Sequence, residues 1–415
     1  MKTPHVVVIG GGFGGLAAAK ALAKSKNLKI TLVDKRNYHL FQPLLYQVAM
    51  AGLSPAEIAY PLRSLLASHD QVEILLGEVK EINKEEKWIQ TDSNKIHFDY
   101  LILACGSTYT YFNSPQWEPF APGLKNIMQA TEIRRRVFLA FEKAEREADK
   151  KKQEFYTTFV VVGGGPTGVE LAGTLGEITR YSILRDFDHI KPQQTKIILI
   201  EAGPKILPTM TEELSREAVR ELGELGVEVR VNSKVSDINE NGIMAGEHFI
   251  EASTILWAAG VAANPLNKKL NVELDRQGRV IVNRDLSIPG HPTIFVIGDQ
   301  AHYEWGAEKK PLPGLAPVAM QQGRFVAKYI RHQLDGRKLP EFRYVDKGQM
   351  ATVGRSRAVA MFRGIEIHGF VAWMAWLVVH IYYLIGFKNR LFVLFTWAWM
   401  YLTNRRGARL IIEKE

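Results

Sequence analysis

The chain contains one glycine-rich segment twice. VVVIGGGFGGLAAAKAL begins at Val6 and VVVGGGPTGVELAGTL begins at Val160, so that Gly10 aligns with Gly163 at an offset of 153 residues. Each copy has a β-branched run, a glycine turn and an Ala- and Leu-rich pattern, which predicts a strand followed by a helix. The sequence therefore predicts an α/β fold with two βαβ units in one chain.

The glycines of each copy have the GxGxxG spacing, which is typical of a dinucleotide site. They allow a tight turn and the close approach of a pyrophosphate, whose charge is met by free N–H groups at the helix start. We therefore expect two Rossmann-like dinucleotide-binding domains. The motif glycines are Gly10, Gly12 and Gly15 in the first copy and Gly163, Gly165 and Gly168 in the second.

An acidic residue ends the second strand of each predicted unit. Asp34 lies nineteen residues after Gly15, at the distance expected for a ribose-binding acid, whereas Glu201 lies thirty-three residues after Gly168. An insertion over Thr179 to Lys196 accounts for the excess. An acid here accepts ribose hydroxyls and repels a 2′-phosphate, so Glu201 favours NADH over NADPH. The alternative is two surface acids at strand ends.

Two dinucleotide folds in one chain suggest that one holds a flavin and the other brings a nicotinamide to it. A late strand, TIFVIGD, ends at Asp299, and LILACGS runs through Ala104 and Gly106. This combination resembles the two-dinucleotide-binding-domain flavoprotein superfamily. The resemblance implies that Asp299 binds the ribityl chain of FAD and that the second domain is inserted in the first. Cys105 replaces the usual Thr of that turn and is predicted to serve in packing.

On that resemblance the chain has four regions, and the NADH domain is inserted in a discontinuous FAD domain. The regions are an FAD-binding domain over 1–118 and 287–340, a bridging helix over 119–154 whose charged segment runs from Ile133 to Lys152, an NADH-binding domain over 155–286, and a membrane-associating helical region over 341–415.

The single cysteine narrows the family. Disulfide reductases and sulfide:quinone oxidoreductases of this superfamily need paired cysteines, and the chain has one. The remaining segments resemble type II NADH:quinone oxidoreductase over nearly the whole length. They are YHLFQPLLYQVA, GGGPTGVELAG, EAGPKILP, GVAANP and LPGLAPVAMQQG.

This resemblance implies a respiratory-chain enzyme in which NADH gives a hydride to N5 of FAD and two electrons then reach a membrane quinone. No proton pumping is expected, because no series of transmembrane segments is present. The implied FAD residues are Gly10, Gly12, Gly14, Gly15, Asp34, Lys35, Val79, Ala104, Gly106, Asp299 and Ala319, and the implied NADH residues are Gly163, Gly165, Gly168, Glu201 and Gly260.

Glu170 is the first candidate catalytic residue. It stands in the first helical turn of the second copy, where the first copy has Ala17. A glutamate there is also favoured by the helix dipole, by roughly 0.3–1 kcal/mol. The functional alternative is that Glu170 positions NADH or relays protons, because quinone reduction takes up protons.

Gln321 is the second candidate, in the segment APVAMQ that begins at Ala316. Many members of the family have AQxAxQ at this place, so Gln321 is a predicted quinone contact, and Gln322 is a further one. Pro317 replaces the first Gln and removes a hydrogen-bond donor. The helix that begins here is expected to direct its positive end towards the flavin.

The C-terminal segment is the most apolar part of the chain. FVAWMAWLVVHIYYLIGF runs from Phe370 to Phe387, and LFVLFTWAWMYL follows. Four of the eight tryptophans lie here, as at a membrane interface, and Arg405, Arg406 and Arg409 follow. The first stretch is just long enough to span a bilayer and the second is too short. A core or dimerisation hairpin is the alternative.

The excess of basic residues, which gives a formal net charge of +9, is therefore expected to face an anionic lipid surface. Nucleic acid is not expected as a partner, because no recognition module is present. A metal site is not expected either, because one cysteine and widely spaced histidines offer no ligand set. The resemblance implies peripheral, monotopic attachment to the cytoplasmic face of the cell membrane, and a homodimer is a further expectation.

Two other functions stay open at this point. One is a soluble NADH-dependent flavoprotein reductase of a small electron-transfer protein, for which the aromatic tail has no obvious use. The other is a flavin-bound signalling protein without catalytic turnover.

Overall fold

The computed structural model describes residues 3–182, 186–191, 194–306, 309–338 and 341–411. It divides the chain into two compact units. The first unit comprises Met1–Leu40, Ala59–Thr108 and Val261–Val345, and the second comprises Phe41–Ile58, Tyr109–Gly260 and Asp346–Glu415. These divisions differ from the predicted boundaries at 118, 155 and 287, and the predicted ends at 340 and 415 lie outside the described residues. The four-region division stays a prediction.

A six-stranded sheet is the centre of the first unit. Only its edge strand, Ser287–Ile288, is antiparallel to its neighbour. Val6, Val7 and Val8 are fully buried, because helices and loops cover both faces of the sheet. The strand order is Ser287–Ile288, His291–Val296, Tyr100–Leu103, His5–Ile9, Lys29–Asp34 and Val72–Leu76.

Two long helices of the first unit, Phe13–Leu22 and Ala316–Leu334, pack closely against each other. A Cβ at Gly323 would overlap the carbonyl oxygen of Gly14, so this crossing requires glycine. Pro317 lies in the first turn of its helix, where a missing N–H costs no intrahelical bond. The shorter elements of this unit are Tyr38–Leu40, Ala59–Pro61, Leu62–Leu66, Val79–Asn83, Trp88–Thr91, Lys95–His97, Pro265–Leu270, Val280–Ile281, Gly298–Gln300, Ala301–His302, Glu304–Trp305 and Lys310–Pro311.

A four-stranded parallel sheet is the centre of the second unit. Its strand Thr158–Val162 is buried at every residue, as expected for a central parallel strand. The order is Val227–Arg230, Lys196–Ile200, Thr158–Val162 and Thr254–Trp257. Residues 183–185 and 192–193 of the predicted insertion lie outside the described residues. The short strands Ser107–Tyr109 and Val261–Ala263 adjoin the sequence boundaries between the units.

The helices of the second unit begin with side-chain caps at several places. Asn126 accepts a hydrogen bond from the N–H of Gln129, and Thr211 accepts one from Leu214. The helices are Leu45–Ala49, Pro55–Ile58, Ile127–Arg146, Lys150–Thr157, Pro166–Glu177 and Glu212–Glu224, with single turns at Gln42–Leu44, Pro115–Trp117 and Ile178–Ser182.

The charged helix expected over Ile133 to Lys152 is two helices. The chain leaves the first after Arg146, and the Asp149 carboxylate caps the second by accepting the N–H of Lys151 at 2.8 Å. A local cap thus competes with helix continuation, which a charge pattern cannot reveal.

Two antiparallel sheets complete the second unit. The first contains Val235–Asn239, Gly242–Ala245 and His248–Glu251, and the second contains Gln349–Gly354, Arg357–Phe362 and Ile365–His368. Helix Pro166–Glu177 packs on the second of these sheets. A Cβ at Gly173 would overlap the carbonyl oxygen of Val353, so glycine permits this close approach.

The apolar C-terminal segment folds into two helices, Gly369–Tyr383 and Phe387–Thr403. Gly386 has a φ of +90°, and the chain turns there, so Phe370 to Phe387 is not one continuous helix. Of the helices that the structure describes, none combines the length and the apolar composition that crossing a bilayer requires.

The predicted fold class is confirmed. Each glycine-rich copy forms a strand, a tight turn and a helix beside a parallel sheet. The second unit's parallel sheet lies in sequence between segments of the first unit, as an inserted domain requires.

Candidate functional site

The first glycine turn has two glycines that the protein needs and one that faces open space. Gly10 has a φ of +102°, and a Cβ at Gly15 would overlap the Gly10 carbonyl oxygen. At Gly12, by contrast, no atom of the described residues lies within 4 Å of the place of a Cβ. Gly12 also begins the helix without a side-chain cap, so the positive end of the helix dipole faces this turn.

Asp34 is held against this turn by the backbone. Its Oδ2 accepts the N–H of Gly11 at 2.6 Å, and its Oδ1 accepts the N–H of Arg36 at 2.7 Å. Burial nevertheless raises the pKa of Asp34, because desolvation outweighs these two bonds. Each oxygen keeps a lone pair for a ribose hydroxyl.

The second glycine turn repeats this geometry. Gly163 has a φ of +108°, a Cβ at Gly168 would overlap the Gly163 carbonyl oxygen, and Gly165 has open space beside it within the described residues. Glu201 Oε2 accepts the N–H of Gly164 at 2.6 Å, and Oε1 accepts the N–H of Gly203 at 2.7 Å. The unusual spacing of Glu201 thus leads to the same arrangement as Asp34.

Asp299 lies in a second polar cluster of the first unit. Its Oδ2 accepts a hydrogen bond from Ser107 Oγ at 2.6 Å, and Gly314 lies beside its Oδ1. Gly298 N donates to Oε1 of the buried Gln322 at 2.6 Å. Gln322 therefore already has a structural partner next to the predicted ribityl-binding acid.

The amide of Gln321 is also engaged. Its Nε2 donates to the Val345 carbonyl at 2.9 Å, and its Oε1 accepts the Val345 N–H at 3.0 Å. Both atoms of the Gln321 amide therefore bond to the Val345 backbone, which fixes the orientation of this side chain.

The other predicted FAD residues are spread over the first unit. Ala104 and Gly14 pack against Gly10 and Ala319, respectively. Gly106 has a φ of +69°, Val79 is a buried strand residue, and Lys35 Nζ lies 3.3 Å from Glu78 Oε1.

Two further predicted positions have packing partners. A Cβ at Gly260 would overlap the ring of Phe112, and Gly260 has a φ of +69°. Cys105 packs against the core of the first unit, and burial raises the pKa of its thiol to about 12. A thiol with so high a pKa is a poor nucleophile, which agrees with the predicted packing role.

Glu170 is a buried acid with only 9% of its surface exposed. It is the fifth residue of helix Pro166–Glu177 and lies beyond the first turn, so the predicted first-turn position is wrong and the helix dipole does not explain this acid. Burial raises its pKa well above the ordinary value, although a hydrogen bond with the Thr352 backbone acts in the opposite direction. Such a shift holds a proton on a carboxyl where an exposed glutamate has lost it. In its ionised form, Glu170 would raise the pKa of the Tyr46 phenol.

A cavity of about 400 Å³ lies within the second unit, and helix Pro166–Glu177 forms part of its wall. Its walls combine aromatic rings with polar and charged side chains, three of which are arginines. The lining residues are Tyr46, Gln47, Thr174, Glu177, Tyr181, Leu225, Thr352, Gly354, Arg355, Ser356, Arg357, Trp373, Trp376, Leu377, Trp397, Met400, Tyr401, Asn404 and Arg406.

A buried ion pair belongs to this cavity. Arg406 Nη2 lies 2.8 Å from Glu177 Oε2, and the two side chains are only 11% and 14% exposed. Arg406 Nη1 also donates to the Met50 carbonyl at 3.1 Å, and Glu177 Oε1 accepts the N–H of Arg355. Sequence reasoning missed this pair. Its one signal was the position of Glu177 seven residues after Glu170, on the same helix face.

Comparisons with known proteins cover nearly the whole chain. The family model for pyridine nucleotide-disulphide oxidoreductases matches residues 4–323, and the model for the NDH2 C-terminal domain matches residues 347–406. The chain is 42% identical to the type II NADH:quinone oxidoreductase Ndh of Mycobacterium tuberculosis, over 99% of this chain and 91% of that protein. It is 32% identical to the type II NADH:quinone oxidoreductase of Staphylococcus saprophyticus, over 88% and 91%.

Solved structures share the fold. NDH2 from Plasmodium falciparum in complex with NADH superposes with a TM-score of 0.90 at 22% identity, covering 99% of this chain and 100% of that one. The sulfide:quinone oxidoreductase of Aquifex aeolicus superposes with a TM-score of 0.73 at 21% identity, covering 93% and 91%.

Proposed function

This chain belongs to the type II NADH:quinone oxidoreductase family, and we propose that it oxidises NADH and passes two electrons through FAD to a quinone. One observation carries the proposal: the duplicated glycine turn, with an open glycine and a backbone-held acid in each unit. Two such turns serve two dinucleotides.

FAD is assigned to the first unit. The open space at Gly12, the uncapped helix start and the acids Asp34 and Asp299 fit a pyrophosphate, a ribose and a ribityl chain. When bound, FAD supplies the hydride acceptor and the route for electrons onward. The protein residues bind and orient it, and the remaining predicted FAD residues belong to the same proposal.

NADH is assigned to the second unit, at Gly163, Gly165, Gly168, Glu201 and Gly260. We expect Glu201→Gln to narrow the preference for NADH over NADPH by about tenfold, because a neutral amide no longer repels a 2′-phosphate. The kcat/KM ratio for the two nucleotides measures this. Asp237→Asn, an exposed change on another strand, is the control, and an unchanged ratio in Glu201→Gln would remove this acid from the role.

Glu170 is proposed to hold or move a proton during turnover. We expect Glu170→Gln to keep FAD and to lower turnover by at least about tenfold, because an amide of the same shape cannot exchange a proton. Stopped-flow rates of the two half-reactions identify the affected step. Glu213→Gln, an acid in the first turn of another helix, is the matched control. Wild-type rates in both half-reactions would remove Glu170 from this role.

The quinone is assigned to the cavity of the second unit. Aromatic walls suit a flat apolar ring, and the cavity volume lies within the usual range for small-molecule sites. Contacts from Gln321 and Gln322 stay a prediction, and each amide also bonds to a backbone group.

A lipid surface is the proposed location. The two C-terminal helices expose many large apolar side chains, and Phe387 and Leu402 are 76% and 80% exposed. We propose peripheral attachment to the cytoplasmic face of the cell membrane, with basic residues meeting anionic headgroups. We expect Phe387→Ser with Leu402→Ser to reduce co-sedimentation with vesicles containing anionic lipid by at least about tenfold. Met128→Ser, at an exposed apolar residue elsewhere, is the control; unchanged binding in the double variant would refute this contact.

The expected homodimer is tested by sedimentation velocity.

The flavin spectrum of the purified protein tests the central proposal. Under anaerobic conditions we expect NADH to bleach the yellow colour and a water-soluble quinone to restore it. Bleaching without recovery would refute the quinone assignment and point to a protein acceptor. Failure to bleach would refute the NADH assignment as well.

A further inference from the structure

Three cavity residues of the second unit form a directed chain of hydrogen bonds. Trp397 Nε1 lies 2.7 Å from Gln47 Oε1, and Gln47 Nε2 lies 3.0 Å from the Tyr46 hydroxyl oxygen. An indole N–H only donates, so it must meet the oxygen of the Gln47 amide. The amide nitrogen therefore faces Tyr46 and donates to its hydroxyl oxygen.

This chain leaves the hydroxyl proton of Tyr46 available. The oxygen accepts from Gln47, and within the described part of the chain no acceptor takes the proton. Tyr46 is buried, which raises the pKa of its phenol well above 10 and keeps the proton in place. The group is thus a neutral donor whose oxygen is already oriented.

A second donor belongs to the same cavity. The indole nitrogen of Trp376 is buried and has no hydrogen-bond partner among the described residues. A buried donor left unpaired costs roughly 1–3 kcal/mol, so a ligand acceptor at this place would gain that much. The ring centroids of Tyr46 and Trp376 lie 6.5 Å apart.

The cavity acid does not compete for these donors. Glu177 already accepts hydrogen bonds from Arg406 and from the backbone of Arg355. The Tyr46 donor beside the aromatic rings therefore fits a flat ring that carries acceptor oxygens. A quinone headgroup has this chemistry.

The backbone that carries Tyr46 is firmly held. Helix Leu45–Ala49 is buried at every residue. The Arg134 guanidinium donates to the Val48 carbonyl at 2.9 and 2.7 Å, and the Gln47 carbonyl accepts the N–H groups of Gly52 and Leu53. The donor is therefore preorganised, which is what stabilisation of developing negative charge requires.

We propose that the Tyr46 hydroxyl donates a hydrogen bond to a carbonyl oxygen of the quinone headgroup, and that Gln47 and Trp397 hold that hydroxyl in position. The inference rests on the proposed quinone reduction. Tyr46 would contact the substrate, whereas Gln47 and Trp397 are positioning residues that act through it.

Tyr46→Phe tests the hydrogen bond. We expect kcat/KM for a water-soluble quinone to fall about tenfold, while flavin reduction by NADH and turnover with ferricyanide stay as in the wild type. Ferricyanide has no carbonyl oxygen to accept this hydrogen bond, so its turnover should not change. A general disturbance of the fold would instead lower both activities. Tyr156→Phe is the matched control, because it removes a hydroxyl from the same unit outside the cavity.

Trp397→Phe tests the positioning role without changing Tyr46. Without the indole N–H, the Gln47 amide can rotate and no longer holds the Tyr46 hydroxyl. We expect kcat/KM for quinone to fall about threefold, while turnover with ferricyanide stays as in the wild type. Wild-type quinone kinetics in both variants would overturn the inference and leave the proposed function standing. A wild-type protein that reduces ferricyanide but no quinone would instead overturn the proposed function.

Discussion

Gly12→Ala is expected to give a folded protein that binds FAD about 10- to 100-fold more weakly than the wild type. The backbone at Gly12 has φ −71° and ψ −165°, which alanine adopts without strain. Within the described residues nothing lies near the new methyl group, so the protein itself tolerates it. The methyl group would occupy the room proposed for the pyrophosphate, at a cost of about 1–3 kcal/mol. The ratio of flavin absorbance to protein, measured after gel filtration in dilute solution, reports the loss.

Two further glycine variants make this result specific. Gly165→Ala changes the equivalent open position of the second unit, so we expect it to keep FAD and to raise KM for NADH. Gly15→Ala is expected to disrupt the fold, because its Cβ would overlap the Gly10 carbonyl oxygen. Full flavin content in Gly12→Ala, with wild-type KM in Gly165→Ala, would limit these glycines to a backbone role.

Arg406→Met is expected to lower the free energy of unfolding by about 3 kcal/mol. The change removes the guanidinium from a largely buried pair and leaves the Glu177 carboxylate with one backbone partner. An unpaired buried charge costs several kcal/mol, whereas the pair itself contributes little beyond its own desolvation. Chemical denaturation of the flavin-loaded protein, followed by far-UV circular dichroism, measures the change.

A double variant tests whether the lost stability comes from the unpaired Glu177 charge or from the loss of the ion pair itself. With Glu177→Gln added to Arg406→Met, no charge remains buried, and we expect most of the lost stability to return. Arg216→Met, which removes an exposed guanidinium of the same unit, should change stability by less than about 0.5 kcal/mol. If the single variant unfolds like the wild type, the pair has no structural importance.

Local pattern was sufficient for the two nucleotide turns. Backbone geometry requires the glycines at positions 10, 15, 163 and 168, whereas those at 12 and 165 leave open space beside each turn. The repeat in the sequence reveals all six directly. Asp34 and Glu201 were found as well, because an acid at the end of the next parallel strand must lie beside the turn. That rule depends on strand order and is insensitive to the length of the insertion before Glu201.

Elsewhere, hydrogen bonds between side chains and the backbone could not be predicted from the sequence. The predicted helix Ile133 to Lys152 is interrupted at Asp149, because a short acidic side chain satisfies the next helix start. The roles predicted for Gln321 and Gln322 rest on a motif, and the motif does not tell that both amides already bond to backbone groups. Whether an amide is free depends on neighbours far away in the chain.

The α/β class, the two glycine turns, the family and the apolar character of the C-terminal helices could all be inferred from the amino-acid sequence. They follow from periodicity, from glycine backbone geometry and from composition, which are properties of short segments. The identity of the cavity residues, by contrast, depends on how distant segments pack. Tyr46, Glu177, Trp376, Trp397 and Arg406 come from separate elements, and their hydrogen bonds form only when packing brings those elements together.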